Sequence, residues 1–354
     1  MKITPQQRFR GLLLGLAVGD SVGLPMEGIS ASRIKKLNRG QWRHALFLGK
    51  GWCSDDTEHA FFVSQSLLKH PKNARKFSQR LAWQLRWWLL ALPAGVGLAT
   101  AKSILRLWVG FKPQNSGVFS AGNGAAMRVA PIAAFFADEK QHFQHYIQAS
   151  TVITHSDPKA LTGALAVADC IRWVIQTESK QAPDLSQWIP QLGKLAPLDE
   201  DWQALITTLK QGLQQQLSVK QFVESLGLKE AVTGYVYHTV PVVLFAWHRH
   251  YGDFQQTLTS VWACGGDVDT TGAIVGAMAG VVTGEKAIPS DWLANLAEWP
   301  RDVNLLIELA DRLQLAKQKK QAPVRYFWLA VLPRNLFFLV VVLGHGFRRL
   351  LPPY

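Results

Sequence analysis

Gly265-Gly266-Asp267-Val268-Asp269-Thr270-Thr271-Gly272-Ala273 puts two carboxylates and two hydroxyls directly before the apolar run Ala273–Val282. That run reads as a buried helix, and about ten residues is too short to cross a bilayer. Gly272, Gly276 and Gly280 recur at every fourth position, which gives the helix one smooth face for close backbone packing. The acidic stretch therefore sits at the mouth of a core helix. Hard oxygen ligands on a rigid terminus suit Mg²⁺ or Mn²⁺. The competing reading is helix capping, since Asp and Thr are good N-caps at the positive end of the dipole.

Ser54-Asp55-Asp56-Thr57-Glu58 repeats this chemistry before a second apolar stretch, Ala60-Phe61-Phe62-Val63. Asp55 and Glu58 also fit a D-x-x-E cap pattern. A helix N-terminus by itself repels a cation, so the four carboxylates of the two stretches would have to supply the attraction. They do so if the two helices pack together.

Composition narrows the class. The chain has 354 residues, 48% of them hydrophobic, enough for a large core. Cys53, Cys170 and Cys264 form no C-x-x-C and cannot all pair, which suits a reducing, cytoplasmic setting rather than a disulfide scaffold. The net charge is +13 and concentrated at the ends. Residues 1–50 carry nine Lys/Arg against Asp20 and Glu27, and residues 312–354 carry eight and no acid. Basic ends point to an anionic surface, nucleic acid or lipid headgroup, with nucleic acid the weaker candidate.

Between the ends, Trp83, Trp87, Trp88 and Trp108 lie among arginines and leucines; the reading preferred is a buried helix face, with base stacking as the alternative. Gly122-Asn123-Gly124 lies in a Gly/Ser-rich loop whose amides are open to phosphate or ribose oxygens. Residues 159–175 and 234–247 read as helices, and 176–230 as amphipathic surface helices.

Five segments together resemble the ADP-ribosylglycohydrolase family, which includes the dinitrogenase reductase-activating glycohydrolases. They are Gly15-Leu16-Ala17-Val18-Gly19-Asp20 running on to Glu27, Ser54-Asp55-Asp56-Thr57, Gly122 to Arg128, Thr154-His155-Ser156 and Gly266-Asp267-Val268-Asp269-Thr270. The resemblance spans roughly residues 8 to 290. It implies an all-α fold, a single orthogonal multi-helix bundle. It also implies metal-dependent hydrolysis of the glycosidic bond between ADP-ribose and a modified acceptor, protein or small molecule, at two divalent ions, Mg²⁺ or alternatively Mn²⁺. Ser54, Asp55, Asp56, Asp267, Asp269 and Thr270 would be the metal ligands, with Glu27, Asp56 and Asp269 catalytic. Gly122, Asn123, Gly124, Ala125, Met127 and His155 would contact substrate. Ser54 stands where the family more often has Thr, and His59 where it more often has Met; His59 reads as a packed neutral histidine rather than a partner of Asp55. The rival readings are a catalytically silent ADP-ribose-binding module and a hydrolase of a related nucleotide conjugate. The same resemblance assigns Gly11–Gly19, which imitates a secretory signal, to the first helix of the fold.

Lys317 to Pro323 separates a catalytic domain, residues 1–315, from a basic, apolar tail, residues 316–354. Tyr326–Phe347 is long enough as a helix, about 33 Å, to span a bilayer. Pro333-Arg334-Asn335 near its middle argues against that, since a central arginine costs roughly 2.5–3.5 kcal/mol. The tail either folds back on the catalytic domain or lies in the interface of an anionic membrane, and its all-basic charge slightly favours the second.

Overall fold

The computed structural model describes residues 2–229 and 231–350. Among them are seventeen α-helices and one two-stranded antiparallel sheet, in which Ile29–Ser30 pairs with Gly265–Gly266. The fold is all-α. The first helix, Pro5–Gly23, is buried over most of its length and starts with a capping box between Thr4 and Gln7. It belongs to the core, as the resemblance requires.

This helix lies along the central helix, Val268–Thr283, with glycine facing glycine. A Cβ on Gly11 would sit 2.2 Å from the Gly280 carbonyl oxygen, on Gly15 2.3 Å from that of Gly276, and on Gly19 2.0 Å from that of Gly272. The smooth face expected on the central helix thus meets a matching four-residue repeat on the first. The backbones touch, and no side chain on that seam is tolerated. The seam also sets the register of the site, because it fixes Asp20 against the first turn of the central helix.

Two further devices place the acidic helix starts. Gly265 and Gly266 have φ of +72° and +85°, a region open to glycine, and this bend turns the chain from the sheet into the central helix. Gly28 N–H donates to the Gly266 carbonyl at 2.7 Å, which holds the loop bearing Glu27 beside Asp267. The helix Asp55–Lys69 begins at an Ser54 N-cap. Glu58 does not cap it. Its carboxylate is buried, paired with Arg301 and accepting from Trp88 Nε1 at 2.7 Å.

Two expectations need correction. Trp88 is buried, but Trp83, Trp87 and Trp108 are half-exposed and stacked edge to face on one another. On the helix Ala74–Leu90, Trp88 alone of its three tryptophans turns inward, where its indole N–H reaches Glu58. The first helix also runs on past Gly19-Asp20, to Gly23, before the turn at Leu24–Met26.

The tail is docked on the catalytic domain. Val324 N–H and C=O both bond to the Gln65 side chain at 2.9 Å. Beyond it, Val331–Arg348 forms a helix with Arg334, Asn335, Phe338 and Val341 buried. Arg334 lies in a buried ion pair with Glu298, and Asn335 Nδ2 donates to the Ala91 carbonyl at 2.8 Å. The arginine that disfavours a spanning helix is therefore the tail's anchor in protein. Residues 351–354 of the expected tail lie outside the described residues.

Candidate active site

The two acidic helix starts converge, and a third helix joins them. Asp20, from the first helix, is fully buried among the expected ligands. One carboxylate oxygen each from Asp20, Asp56 and Asp269 lie within 4.8 Å of one another. Asp20 accepts from the amides of Ser54, at 3.0 Å, and Thr57, at 3.2 Å, and from Thr57 Oγ1 at 2.5 Å. Asp56 accepts from Ser54 Oγ at 3.1 Å and from Thr270 Oγ1 at 3.2 Å. That last contact joins the two helix starts directly.

Asp55 and Asp267 are half-buried and, with Glu27, Ser54, Asp269 and Thr270, line a cleft of about 630 Å³. Asn123 Nδ2 donates to Asp267 Oδ2 at 2.7 Å and to Thr239 Oγ1 at 3.0 Å, which fixes that carboxylate. Gly122, Asn123, Gly124, Met127 and His155 line the same cleft. Ala125 does not; it sits in a 3-10 turn with its methyl group packed in the core. Phe338 and Val342, from the tail helix, form part of the wall.

The loop at Gly122–Gly124 is shaped by a side chain more than by open space. A Cβ on Gly122 would lie 2.9 Å from His155 Nε2, and one on Gly124 2.8 Å from His155 Cε1. The Asn123 amide is already bonded to the Gly234 carbonyl at 2.9 Å. The glycines thus make room for the His155 ring, and of the three amides expected to face phosphate or ribose that of Asn123 is occupied.

The ring itself is held in place from Arg128 through Thr154. Arg128, buried, donates through Nη2 to Thr154 Oγ1 at 2.7 Å, and Thr154 Oγ1 lies 2.8 Å from His155 Nδ1. Guanidinium only donates, so the threonine hydroxyl accepts from Arg128 and also meets the imidazole. Burial, with Arg128 nearby, pushes the His155 pKa down to about 3, so the ring is a neutral N–H donor.

His59 has no polar role. It is fully buried, its two ring nitrogens are without partners, and it packs edge to face on Trp88 at 4.6 Å. Cys53, Cys170 and Cys264 are free and buried.

The electrostatics of the cluster are those of a site built for a cation. Burial raises the Asp20 pKa to about 7 against the pull of its hydrogen bonds from Thr57 and Ser54. Burial and mutual repulsion hold Asp55, Asp56 and Asp269 well above the usual carboxylate range. Burial and then Asp267 raise Glu27, while Arg349 lowers it. Asp56 Oδ1 and Asp269 Oδ1 are buried with no hydrogen-bond partner. Buried acceptors without donors are costly, and a divalent ion satisfies them and removes the repulsion together. The buried triad therefore fits a divalent metal.

Asp20 was the residue not assigned a role from sequence. Its signal was a lone carboxylate at the end of an otherwise apolar helix.

Comparison with known proteins agrees with this geometry. A family model described as ADP-ribosylglycohydrolase matches residues 1–323. An uncharacterized protein of Archaeoglobus fulgidus is 32% identical over 322 residues, covering 87% of this chain and 96% of its own length. The ADP-ribosyl-[dinitrogen reductase] glycohydrolase of Rhodospirillum rubrum is 28% identical over 321 residues, covering 86% and 96%. A solved structure titled ADP-ribosylglycohydrolase-related protein complex superposes with a TM-score of 0.65 at 27% identity, over 89% of this chain and 99% of that one. The chain belongs to the ADP-ribosylglycohydrolase family and is a hydrolase.

Proposed function

We propose that this protein hydrolyses the glycosidic bond joining ADP-ribose to a modified acceptor, a protein side chain or a smaller molecule, with two divalent ions bound, Mg²⁺ or Mn²⁺. The observation that carries the reading is the convergence of Glu27, Asp55, Asp267 and Asp269 on one cleft, with Asp20 and Asp56 buried against Asp269 and unpaired oxygens on Asp56 and Asp269. Binding ADP-ribose alone, a dianion, gives no reason to gather negative charge. The ligands would be Ser54, Asp55, Asp56, Asp267, Asp269 and Thr270, with Asp20 behind them. Bound ions would orient ribose hydroxyls and activate water.

The remaining work falls to the chain. Cleavage at the anomeric carbon passes through an oxocarbenium-like state, in which the leaving group takes up a proton and water gives one up. Glu27, in the cleft lining with its carboxyl pKa raised by burial and Asp267, is placed to exchange that proton with solvent. Asp56 and Asp269 act by holding the cluster's charge in place. His155, a neutral ring in the cleft wall, meets a substrate polar group without adding charge. The free, buried cysteines fit a cytoplasmic enzyme.

Release of ADP-ribose from a panel of acceptors, with Mg²⁺, with Mn²⁺ and after chelation, tests the proposal. Loss of release on chelation and its return with either ion is expected. Release unaffected by chelation, or tight ADP-ribose binding with no release from any acceptor, would overturn it.

A further inference from the structure

We propose that the outer face of the C-terminal helix docks the enzyme on an anionic lipid surface. The helix Val331–Arg348 has two apolar stripes. The inner one, Phe338 and Val341 beside the Arg334–Glu298 pair, is matched by the catalytic domain. The outer one, Leu336, Val340, Leu343 and Phe347 at 45%, 69%, 51% and 69% exposure, recurs at helical spacing and faces solvent. Trp328, just before the helix, is 69% exposed. A stripe of this size on a rigidly seated helix is the face of an interfacial segment.

Charge selects the partner. Residues 28–54 and 312–350 contain no Asp or Glu. The two regions are neighbours in space: Phe47 meets Phe337 edge to face at 6.2 Å, and Arg349 Nη1 donates to the Glu27 carbonyl at 2.7 Å. Arg33, Lys35 and Lys36, exposed on the helix Ala31–Asn38, and Arg39 just after it follow within a dozen residues of Glu27. Apolar stripe and net-basic flank, with Glu27 at its edge in the cleft, together match lipid tails bordered by anionic headgroups. A spanning helix does not fit, because it would pull Arg334 and Asn335 out of their buried partners. The inner face of the same helix supplies Phe338 and Val342 to the cleft wall, so docking holds the active site beside the surface.

The test uses the full chain and vesicles of phosphatidylcholine with or without phosphatidylserine, read by co-sedimentation in the absence of substrate. Its failure therefore leaves the hydrolase reading untouched. At low salt the protein is expected to favour the anionic vesicles by at least about tenfold and to be released as salt screens the flank. Val340→Glu/Leu343→Glu/Phe347→Glu should weaken binding by more than about tenfold with an unchanged melting temperature. Arg33→Glu/Lys36→Glu should abolish the preference for phosphatidylserine. Four results would overturn the proposal: no vesicle binding at low salt; undiminished binding by the triple variant; a wild-type dimer, without vesicle binding, that the triple variant dissolves; or resistance to alkaline extraction, which would mark a spanning helix. Binding to single-stranded nucleic acid in preference to vesicles would also overturn it.

Discussion

Asp20 caps a helix to which it does not belong: its carboxylate takes the hydroxyl of Thr57 at 2.5 Å and the amides of Ser54 and Thr57. The first turn of Asp55–Lys69 is thus tied to the first helix through the same carboxylate that stands in the buried triad. Structure and site share one group.

Asp20→Asn is expected to lower stability by about 1–2 kcal/mol, because an amide oxygen is a weaker acceptor for those donors. It should also weaken binding of Mg²⁺ or Mn²⁺ well beyond what the stability loss explains. Thr57→Val separates the two roles: a similar loss of stability with much less loss of metal affinity. Denaturant titration and calorimetry with each ion read both. Equal metal affinity in wild type and Asp20→Asn would place Asp20 outside the metal site.

The glycine seam makes a sharper test of packing. Gly19→Ala puts a methyl group 2.0 Å from the Gly272 carbonyl, with backbone on both sides and nothing flexible to yield. A loss of more than about 3 kcal/mol is expected, or failure to fold. Gly344→Ala is the control. It lies in the tail helix with nothing within 4 Å of an added Cβ, so a gain of about 0.5–1 kcal/mol is expected from helix propensity alone. Chemical denaturation of the two variants side by side checks the contrast.

What the sequence disclosed and what it hid divide along a physical line. The paired Asp-rich helix starts were legible because metal ligation needs oxygen donors at short spacing, a local property. The all-α fold was legible as what the family resemblance implies, and single helices from their apolar runs. Hidden were pairings between distant segments. The partner of Gly272, Gly276 and Gly280 is a repeat some 260 residues earlier. Glu58 satisfies a capping pattern on paper yet pairs with Arg301 across the fold. Trp83 and Trp87 have the spacing of a core stripe and still face outward, since only the packed partner decides which side of a helix is inside.

His155 gives a pH dependence of definite sign. Its folded pKa, about 3, lies below the ordinary 6.5, so the folded protein binds that proton less readily than the unfolded chain. Stability from this group is complete above pH 6.5 and is lost as pH falls toward 3, by about 2 kcal/mol at pH 5. The raised carboxylates of the site act in the opposite direction, so the difference between wild type and His155→Gln is the quantity to follow. That difference should shrink steadily between pH 7.5 and pH 5 in denaturant titrations. A constant difference would mean that the ring titrates normally.

The Arg334–Glu298 pair carries the last prediction, because it joins the tail to the start of the helix Asp55–Lys69. Glu298 accepts from Arg334 Nε at 2.8 Å and also takes the amide of Cys53, next to Ser54, at 2.9 Å. Arg334 Nη2 donates to the Cys53 carbonyl at 2.7 Å. Both ends of the pair are buried, so removing one partner strands the other. Arg334→Met should cost about 3–5 kcal/mol, since it leaves the Glu298 carboxylate without its counter-charge. Arg334→Met/Glu298→Gln should recover much of that loss, because the glutamine oxygen still accepts the Cys53 amide and carries no charge. In the single variant the tail should detach before the bundle unfolds, exposing the buried inner face of Val331–Arg348 to protease while the rest of the chain stays protected. Recovery in the double variant distinguishes a buried charge pair from simple packing. If the two substitutions add without recovery, Arg334 holds the tail by its contact with Phe338, over whose ring it lies at 4.4 Å, and not by Glu298.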